Sequence, residues 1–354
     1  MRICYVSTEY KNPHVKNWVD EFSDRGHIVY IVTPAGSFIK KMMATKWMVN
    51  MLKPDIVHAH YASGYGVFGA YANHHPFILS CWGGDVRVDA RNPLKRHLIR
   101  YALKSADIVH VQDPLMAERV REIYPKSNIF IQAWGVNVDI FKPRKEKLID
   151  SDYPLILCTR DTSPIYDIKT LIDAIPMVLK KVDAIFVFTD DSIKKLIETP
   201  LHYLDDEQYA FECVLYETIK ENIPNENIKV TGFLNTEDYI KLLQSCDLFV
   251  DTFYPFDGRG GQAYGQALLE AMACKVPTLV ADRPTLHLEP KWYFGETFKG
   301  GSPVDLATKL VELIEDADRR REIADKNRKS VVKYFNWRKN MDIIEENLYK
   351  RWFE

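Results

Sequence analysis

The stretch Asp251-Thr-Phe-Tyr-Pro-Phe-Asp-Gly258-Arg259-Gly260-Gly261-Gln262-Ala-Tyr264-Gly265-Gln266-Ala267-Leu-Leu-Glu270-Ala-Met-Ala-Cys274 decides the reading of this chain. An apolar run, Leu248–Val250, enters it as a strand, three glycines within four positions follow, and an Ala/Leu-rich helix begins around Ala263. Strand, glycine loop and helix in that order present free amides at a helix N-terminus with no Cβ to hold an anion away, which suits a phosphate or diphosphate. Arg259 adds a guanidinium able to grip such a group bidentately. Glu270 lies eight residues after Gln262 on one helical stripe, where a carboxylate can accept both hydroxyls of a ribose. A glycine-rich turn before a helix whose glutamate is merely solvated fits this segment as well.

Outward from it, apolar runs of four to six residues alternate with helical periodicity, the pattern of repeated βαβ units and a mostly parallel sheet. Strands are expected at Ile3–Val6, Ile28–Val32, Ile56–His58, Phe77–Ser80, Ile108–Val111 and Ile129–Gln132. A second series runs through Leu155–Thr159, a helix over 168–180, then Ile185–Thr189, Ile228–Thr231, Leu248–Val250 and Thr278–Ala281. The charged stretch Lys142–Asp152, flanked by Pro143 and Pro154, reads as the linker. The expected class is therefore α/β with two Rossmann-like domains, 1–150 and 151–336, and a terminal helical segment, 337–354, rich in aromatic residues.

Length and composition agree: 354 residues, 46% hydrophobic, 27% charged and 12% aromatic, are those of a globular chain with room for two cores. The formal charge of −2 is uneven. Residues 1–150 hold 21 Lys+Arg against 14 Asp+Glu, and the remainder 26 against 35, so an anionic partner prefers the first half. The six cysteines (Cys4, Cys81, Cys158, Cys213, Cys246, Cys274) lie apart, without C-x-x-C or zinc spacing, and read as free thiols of a reducing compartment. Met1-Arg-Ile-Cys-Tyr-Val6 opens as a strand and not as a signal peptide, and no run of eighteen apolar residues occurs; the expected location is the cytoplasm, at most at the inner face of a membrane.

No Gly-Lys-Ser/Thr closes a glycine run, and the first βα turn, Ser7-Thr-Glu-Tyr-Lys11, holds no glycine, so P-loop and dinucleotide fingerprints are missing and NAD, FAD and ATP are set aside. His-Glu-x-x-His, Gly-x-Ser-x-Gly and calcium-loop patterns are also missing. No aromatic and basic interleaving points to nucleic acid.

Gln262-Ala-Tyr-Gly-Gln-Ala-Leu-Leu-Glu270-Ala-Met-Ala-Cys-Lys-Val-Pro277 resembles the Glu-x7-Glu motif of the GT-B glycosyltransferases, specifically glycosyltransferase family 4. Further matches are His14 with Trp18, Arg25-Gly-His27, Pro54-Asp-Ile-Val-His-Ala-His-Tyr61, Trp82-Gly83-Gly84-Asp85, Trp134-Gly-Val136 with Phe141-Lys-Pro143, and Val230-Thr-Gly-Phe233. The resemblance implies a GT-B fold, with two parallel-sheet domains facing across a deep cleft and the terminal helix returning to the first. It also implies retaining, metal-independent transfer of a hexose-type sugar from a UDP- or GDP-linked donor to a hydroxyl acceptor, possible acceptors including a lipid-linked or cell-surface glycan precursor, with no cofactor. Carried over by position, Glu270 binds ribose, the amides around Gly265, Gln266 and Ala267 face the donor beside Gly261 and Tyr264, and Arg160 is the cation on the diphosphate. His14, His60, Tyr61, Trp82, Gly83 and Gly84 are expected on the acceptor side.

Three departures stand out. Gln262 replaces the motif's first glutamate, so a hydrogen bond survives and the charge does not; Gln262 stays in the catalytic set with Arg160. Tyr166 stands where a lysine usually pairs with that arginine, and Arg259, in preference to Lys169, is expected to replace the lost cation. Trp82 replaces the usual histidine of the catalytic loop, which makes Asp85 the polar candidate there for an acceptor or sugar contact. A sugar-nucleotide epimerase on the same fold, and a silent binding protein, remain competing readings.

His58 and His60 share one strand face, which suits a metal pair, packed strand-end histidines, or a His60 that orients donor or acceptor. Phe38-Ile-Lys-Lys-Met-Met-Ala-Thr-Lys-Trp-Met-Val-Asn-Met-Leu-Lys53 reads either as an amphipathic helix on anionic lipid or as a packed helix with Met inside and Lys outside. A second basic helix, with Arg91, Lys95, Arg96, Arg100 and Lys104, is a solvated face or a welcome for a phosphate-bearing acceptor.

Overall fold

Runs such as Phe77-Ile-Leu-Ser80 and Leu155-Ile-Leu-Cys158 are buried along their whole length, as strands covered on both faces must be. They build two sheets in a computed structural model that describes residues 1–198, 208–254, 264–289 and 291–353. The first holds β1 (Arg2–Val6), β2 (Ile28–Val32), β3 (Ile56–His60), β4 (Phe77–Ser80), β5 (Ile108–Val111) and β6 (Ile129–Ile131) in the order β2-β1-β3-β4-β5-β6. The second holds β7 (Leu155–Cys158), β8 (Ile185–Phe188), β9 (Ile228–Val230), β10 (Leu248–Asp251), β11 (Thr278–Ala281) and β12 (Glu296–Phe298) in the order β12-β11-β10-β7-β8-β9. All ten pairings are parallel. The order reverses direction between β1 and β3 in one sheet and between β7 and β10 in the other. In such sheets ligands sit outside the carboxyl ends of the strands at that reversal.

The chain divides into two compact units, Met1–Trp134 with Arg338–Glu354, and Gly135–Trp337. The charged stretch expected as a linker lies within the second unit. Leu148 and Ile149 donate their amides to Ser245 Oγ at 2.9 and 3.0 Å, and the Arg144 amide donates to Gln244 Oε1 at 3.0 Å. Strand β12 escapes sequence reading because only Phe298 of its three residues is buried. Several helices start on a cap followed by proline, as at Asn12-Pro13, Asn92-Pro93 and Asp113-Pro114, where the cap side chain accepts an otherwise orphaned amide.

The terminal segment, helical over Trp337–Ile344 and continuing as a wider turn over Glu345–Tyr349, belongs to the first unit from Arg338 onward. Arg25 bridges Glu21, Asp342 and Glu345 at 2.7–2.8 Å, and His27 Nε2 lies 3.0 Å from Glu345. Tyr349 reaches the sheet: its hydroxyl lies 2.7 Å from His58 Nδ1 and 3.1 Å from the Tyr5 hydroxyl. His58 Nε2 meets Ser80 Oγ at 2.7 Å, Ser80 Oγ meets His110 Nδ1 at 2.8 Å, and His110 Nε2 donates to the Gln132 carbonyl at 2.9 Å. A polar chain thus crosses the interior of the unit.

Burial pushes His58 far below its ordinary 6.5, His60 down to about 3 and His110 to about 4. All three are neutral in the folded unit at neutral pH and basic in the unfolded chain. Above pH 6.5 neither state binds protons there; below it the unfolded state binds more, so stability falls as pH drops. Denaturant unfolding should therefore show the first unit losing on the order of 3–6 kcal/mol between pH 7.5 and 5; an unchanged midpoint would refute the neutral buried imidazoles.

Candidate functional site

Two positively charged side chains share one buried carboxylate at the reversal of the second sheet. Asp251 is the last residue of β10, and Arg160 follows β7, the neighbouring strand. Arg160 Nε donates to Asp251 Oδ1 at 2.8 Å, and Arg283, which follows β11, donates from Nη2 to Oδ2 at 3.0 Å. Arg283 is fully buried, with Nη1 spent on the Phe253 carbonyl at 2.8 Å and Nε unpartnered. Burial works against the Asp251 carboxylate, yet the two guanidiniums hold it below the usual carboxylate range. Burial also lowers Arg283, but a guanidinium keeps its proton. Among the described residues, two guanidiniums bonded to one carboxylate give the cluster a formal charge of +1, which a bound anion would offset.

Aromatic rings wall this charge. The Arg160 guanidinium lies 4.9 Å from the centre of the Tyr166 ring and 5.7 Å from that of Phe253. Tyr166 sits on a short turn, Pro164–Tyr166, whose last carbonyl accepts from Thr252 Oγ1 at 2.7 Å. Tyrosine in the lysine position thus stacks on the arginine. Lys169, the weaker candidate for the missing cation, forms an ion pair with Asp173 on its own helix. Among the described residues the second cation beside Arg160 is Arg283, which sequence reasoning missed; the available signal was a charge just past an apolar strand, Thr278–Ala281.

The expected helix begins at Gln266 and runs to Ala273, with Gly265 as an N-cap that offers no side-chain bond. Its first-turn amides are therefore uncapped from within the helix. Gly265 lets Arg160 and the helix start approach closely: a Cβ on this glycine would stand 2.5 Å from Arg160 Nη2 and would push that guanidinium aside. The arginine and the helix N-terminus are in contact, so fixed charge and helix amides converge on one spot. Glu270, one turn into this helix, bonds with Gln266, and burial pushes its carboxyl up to about 7. The Tyr239 hydroxyl, buried without a partner, feels the Glu270 charge. Ala267 lies in the first turn. Tyr264 corrects an expectation: it does not face this spot, because its ring packs among Trp292, Phe294 and Phe335 with centroids 4.7–5.9 Å apart. Arg259, Gly261 and Gln262 lie outside the described residues. Beyond β7 and β8 an open cavity of about 480 Å³ is lined by Asp161, Ser163, Thr189, Asp190, Asp191 and Phe233, the last 90% exposed.

In the first unit, His14, His60, Tyr61, Trp82, Gly83 and Gly84 gather at the carboxyl edge of β1, β3 and β4. His60 packs against Tyr5, Trp18 and Trp82 with ring centroids 5.0–5.5 Å apart, and His14 lies 5.6 Å from Trp82 and 5.7 Å from Trp134. Trp134 belongs with this group. The nitrogens His60 Nε2, Trp82 Nε1 and Trp134 Nε1 are buried without partners. Both nitrogens of His58 are taken, by Tyr349 and Ser80, which leaves it no lone pair for the metal-pair reading. Asp85 also differs from expectation. It is fully buried and accepts from the amides of Ala62, Trp82, Gly83 and Val86 at 2.7–3.3 Å. Burial raises its pKa against the pull of those amides. Its oxygens hold the loops after β3 and β4 together and are not presented to a substrate. Gly83, at φ +109°, is the glycine that this turn demands.

The family description "Glycosyl transferase 4-like" matches residues 35–113, and "Glycosyl transferases group 1" matches residues 139–330. An uncharacterized glycosyltransferase of Methanocaldococcus jannaschii is 25% identical over 95% of this chain and 84% of its own length. Among solved structures, sucrose-phosphate synthase from Thermosynechococcus elongatus superposes with a TM-score of 0.79 at 15% identity, covering 100% of this chain and 99% of that one. Anabaena HepE in complex with UDP gives 0.72 at 15% identity over 98% and 99%, and the same protein is also known with UDP-glucose. The fold is thus the GT-B fold that the sequence resemblance implied. With its matched segment spanning more than half of the chain and containing Arg160, Asp251, Glu270 and Arg283, the protein belongs to the family of group 1 glycosyltransferases.

Proposed function

We propose that the chain transfers a sugar from a nucleoside-diphosphate sugar to a hydroxyl acceptor with retention at the anomeric carbon, the second unit holding the donor and the first the acceptor. The observation that carries this is the uncompensated charge of the Arg160–Asp251–Arg283 cluster in contact with an uncapped helix N-terminus. A diphosphate neutralises that charge when bound and, as the leaving group, gains most from it when the glycosidic bond breaks. The cluster supplies what a metal would otherwise supply, so the reaction is assigned no metal or other cofactor. Glu270 takes the ribose hydroxyls, and the cavity beyond β7 and β8, with Phe233 at its edge, takes the base. UDP is the favoured nucleotide, in line with UDP bound to HepE.

The acceptor hydroxyl is assigned to the edge built by His14, His60, Trp82 and Trp134. Asp85 is too fully engaged with backbone amides to act as a base, which favours a front-face route in which an oxygen of the departing diphosphate takes the acceptor proton. The epimerase reading is separated by products: it releases a changed sugar nucleotide with no acceptor present.

Calorimetry with UDP-glucose, with and without EDTA, is the direct test. Binding unaffected by the chelator is expected, and a donor requirement for magnesium would overturn the metal-free assignment. Glu270→Ala should weaken UDP-glucose binding by about 1.5–3 kcal/mol, the worth of hydrogen bonds to a charged group; full affinity would remove the ribose assignment. Because the Glu270 carboxyl sits near 7, parent affinity should fall as pH drops through that value and Glu270→Gln should flatten the dependence. Asp85→Ala strips four amides of their acceptor and is expected to cost about 1–3 kcal/mol of first-unit stability while sparing UDP-glucose affinity; weakened binding with stability unchanged would restore Asp85 to the sugar contact expected from the sequence.

A further inference from the structure

The helix Phe38–Leu52 has two apolar faces. Thr45 and Val49 are buried, and Met42, Met48 and Leu52 pack against the core of the first unit. On the other side Ile39, Met43, Trp47 and Met51 follow one another at four-residue intervals and are each 61–70% exposed. That spacing makes one continuous ridge. Methionine therefore lies on both faces, and water meets an apolar ridge where an ordinary surface helix would be polar.

The charges on the helix itself are of one sign. The helix carries Lys40, Lys41 and Lys46, is followed by Lys53, and has no Asp or Glu. It packs on the helix Tyr65–Ala72, which has no charged residue, and that helix packs in turn on Pro93–Ser105, which has no acidic one. In the last, Lys95 pairs with Asp89, and Arg96 and Arg100 donate to the carbonyls of Glu122 and Ile123, so the concentration of lysine beside exposed apolar side chains is greatest on 38–53.

We propose that this face docks on an anionic lipid surface. Ile39, Met43, Trp47 and Met51 enter the boundary between headgroups and acyl chains, while the lysines extend to lipid phosphates. Charge selects this occupant. A second copy of the chain meeting the same face two-fold would set lysine against lysine, whereas anionic headgroups satisfy the cations and the layer beneath them accepts the ridge. The inference does not depend on the transferase reading.

Flotation of the full chain with vesicles of phosphatidylcholine, and of phosphatidylcholine mixed with phosphatidylglycerol, tests it. Binding is expected to the mixed vesicles only and to weaken with salt. Lys40→Gln with Lys46→Gln should reduce partitioning about thirtyfold, at about 1 kcal/mol per lysine. Met43→Ser with Trp47→Ser should reduce it by at least roughly tenfold. Unchanged melting and UDP-glucose binding in both variants would show that the fold and the nucleotide site persist. No binding to mixed vesicles, or equal binding by parent and variants, overturns the proposal. So does light scattering that shows a dimer which these substitutions split, without vesicle binding by the parent.

Discussion

A buried carboxylate held between two guanidiniums is the constraint on which the second unit is organised. Asp251 can lie at the end of β10 without water only because Arg160 and Arg283 approach it from the strands on either side. That approach fixes the ends of β7, β10 and β11 relative to one another. It also favours a glycine at the helix start, since a larger residue at 265 would displace the Arg160 guanidinium from Asp251. The surplus charge is thus a product of packing, and the same packing aims the helix amides at it. Preorganisation of this kind leaves little to rearrange if an anion binds there.

The two units solve the problem of a buried polar group differently. In the second, charge is concentrated and left unbalanced beside the helix. In the first, neutral imidazoles, hydroxyls and indoles form a chain from Tyr349 to Gln132 and an aromatic floor at the carboxyl edge of the sheet.

Much of this was legible in the sequence because parallel strands covered on both faces must be written as unbroken apolar runs, and Leu155–Cys158 or Thr278–Ala281 cannot easily be anything else. Glu-Thr-Phe at β12 carries no such mark. At the site, Arg160 and Glu270 were legible through their motif, and His58 with His60 through alternation along a strand. Asp251 and Arg283 were not singled out, because each is a lone charge at a strand end and its meaning appears only when strand order brings the two together. Tyr264 was misplaced because spacing fixes a residue's position along the chain and not the side to which its ring turns; distant Trp292, Phe294 and Phe335 decide that. The lysine-rich helix could not be divided into inner and outer faces by composition, since methionine serves both.

The return of residues 338–354 to the first unit sets an order of assembly during synthesis. The second unit, an uninterrupted segment from 135 to 337, has all its strands once translation has passed β12. The first unit begins earlier yet finishes later, since His58 and Tyr5 await Tyr349, and Arg25 and His27 await Glu345. Until then the Tyr5 hydroxyl, His58 Nδ1 and His27 Nε2 lack the partners that the terminal segment brings. The order of strands along the polypeptide and the order in which the units become complete therefore run in opposite directions.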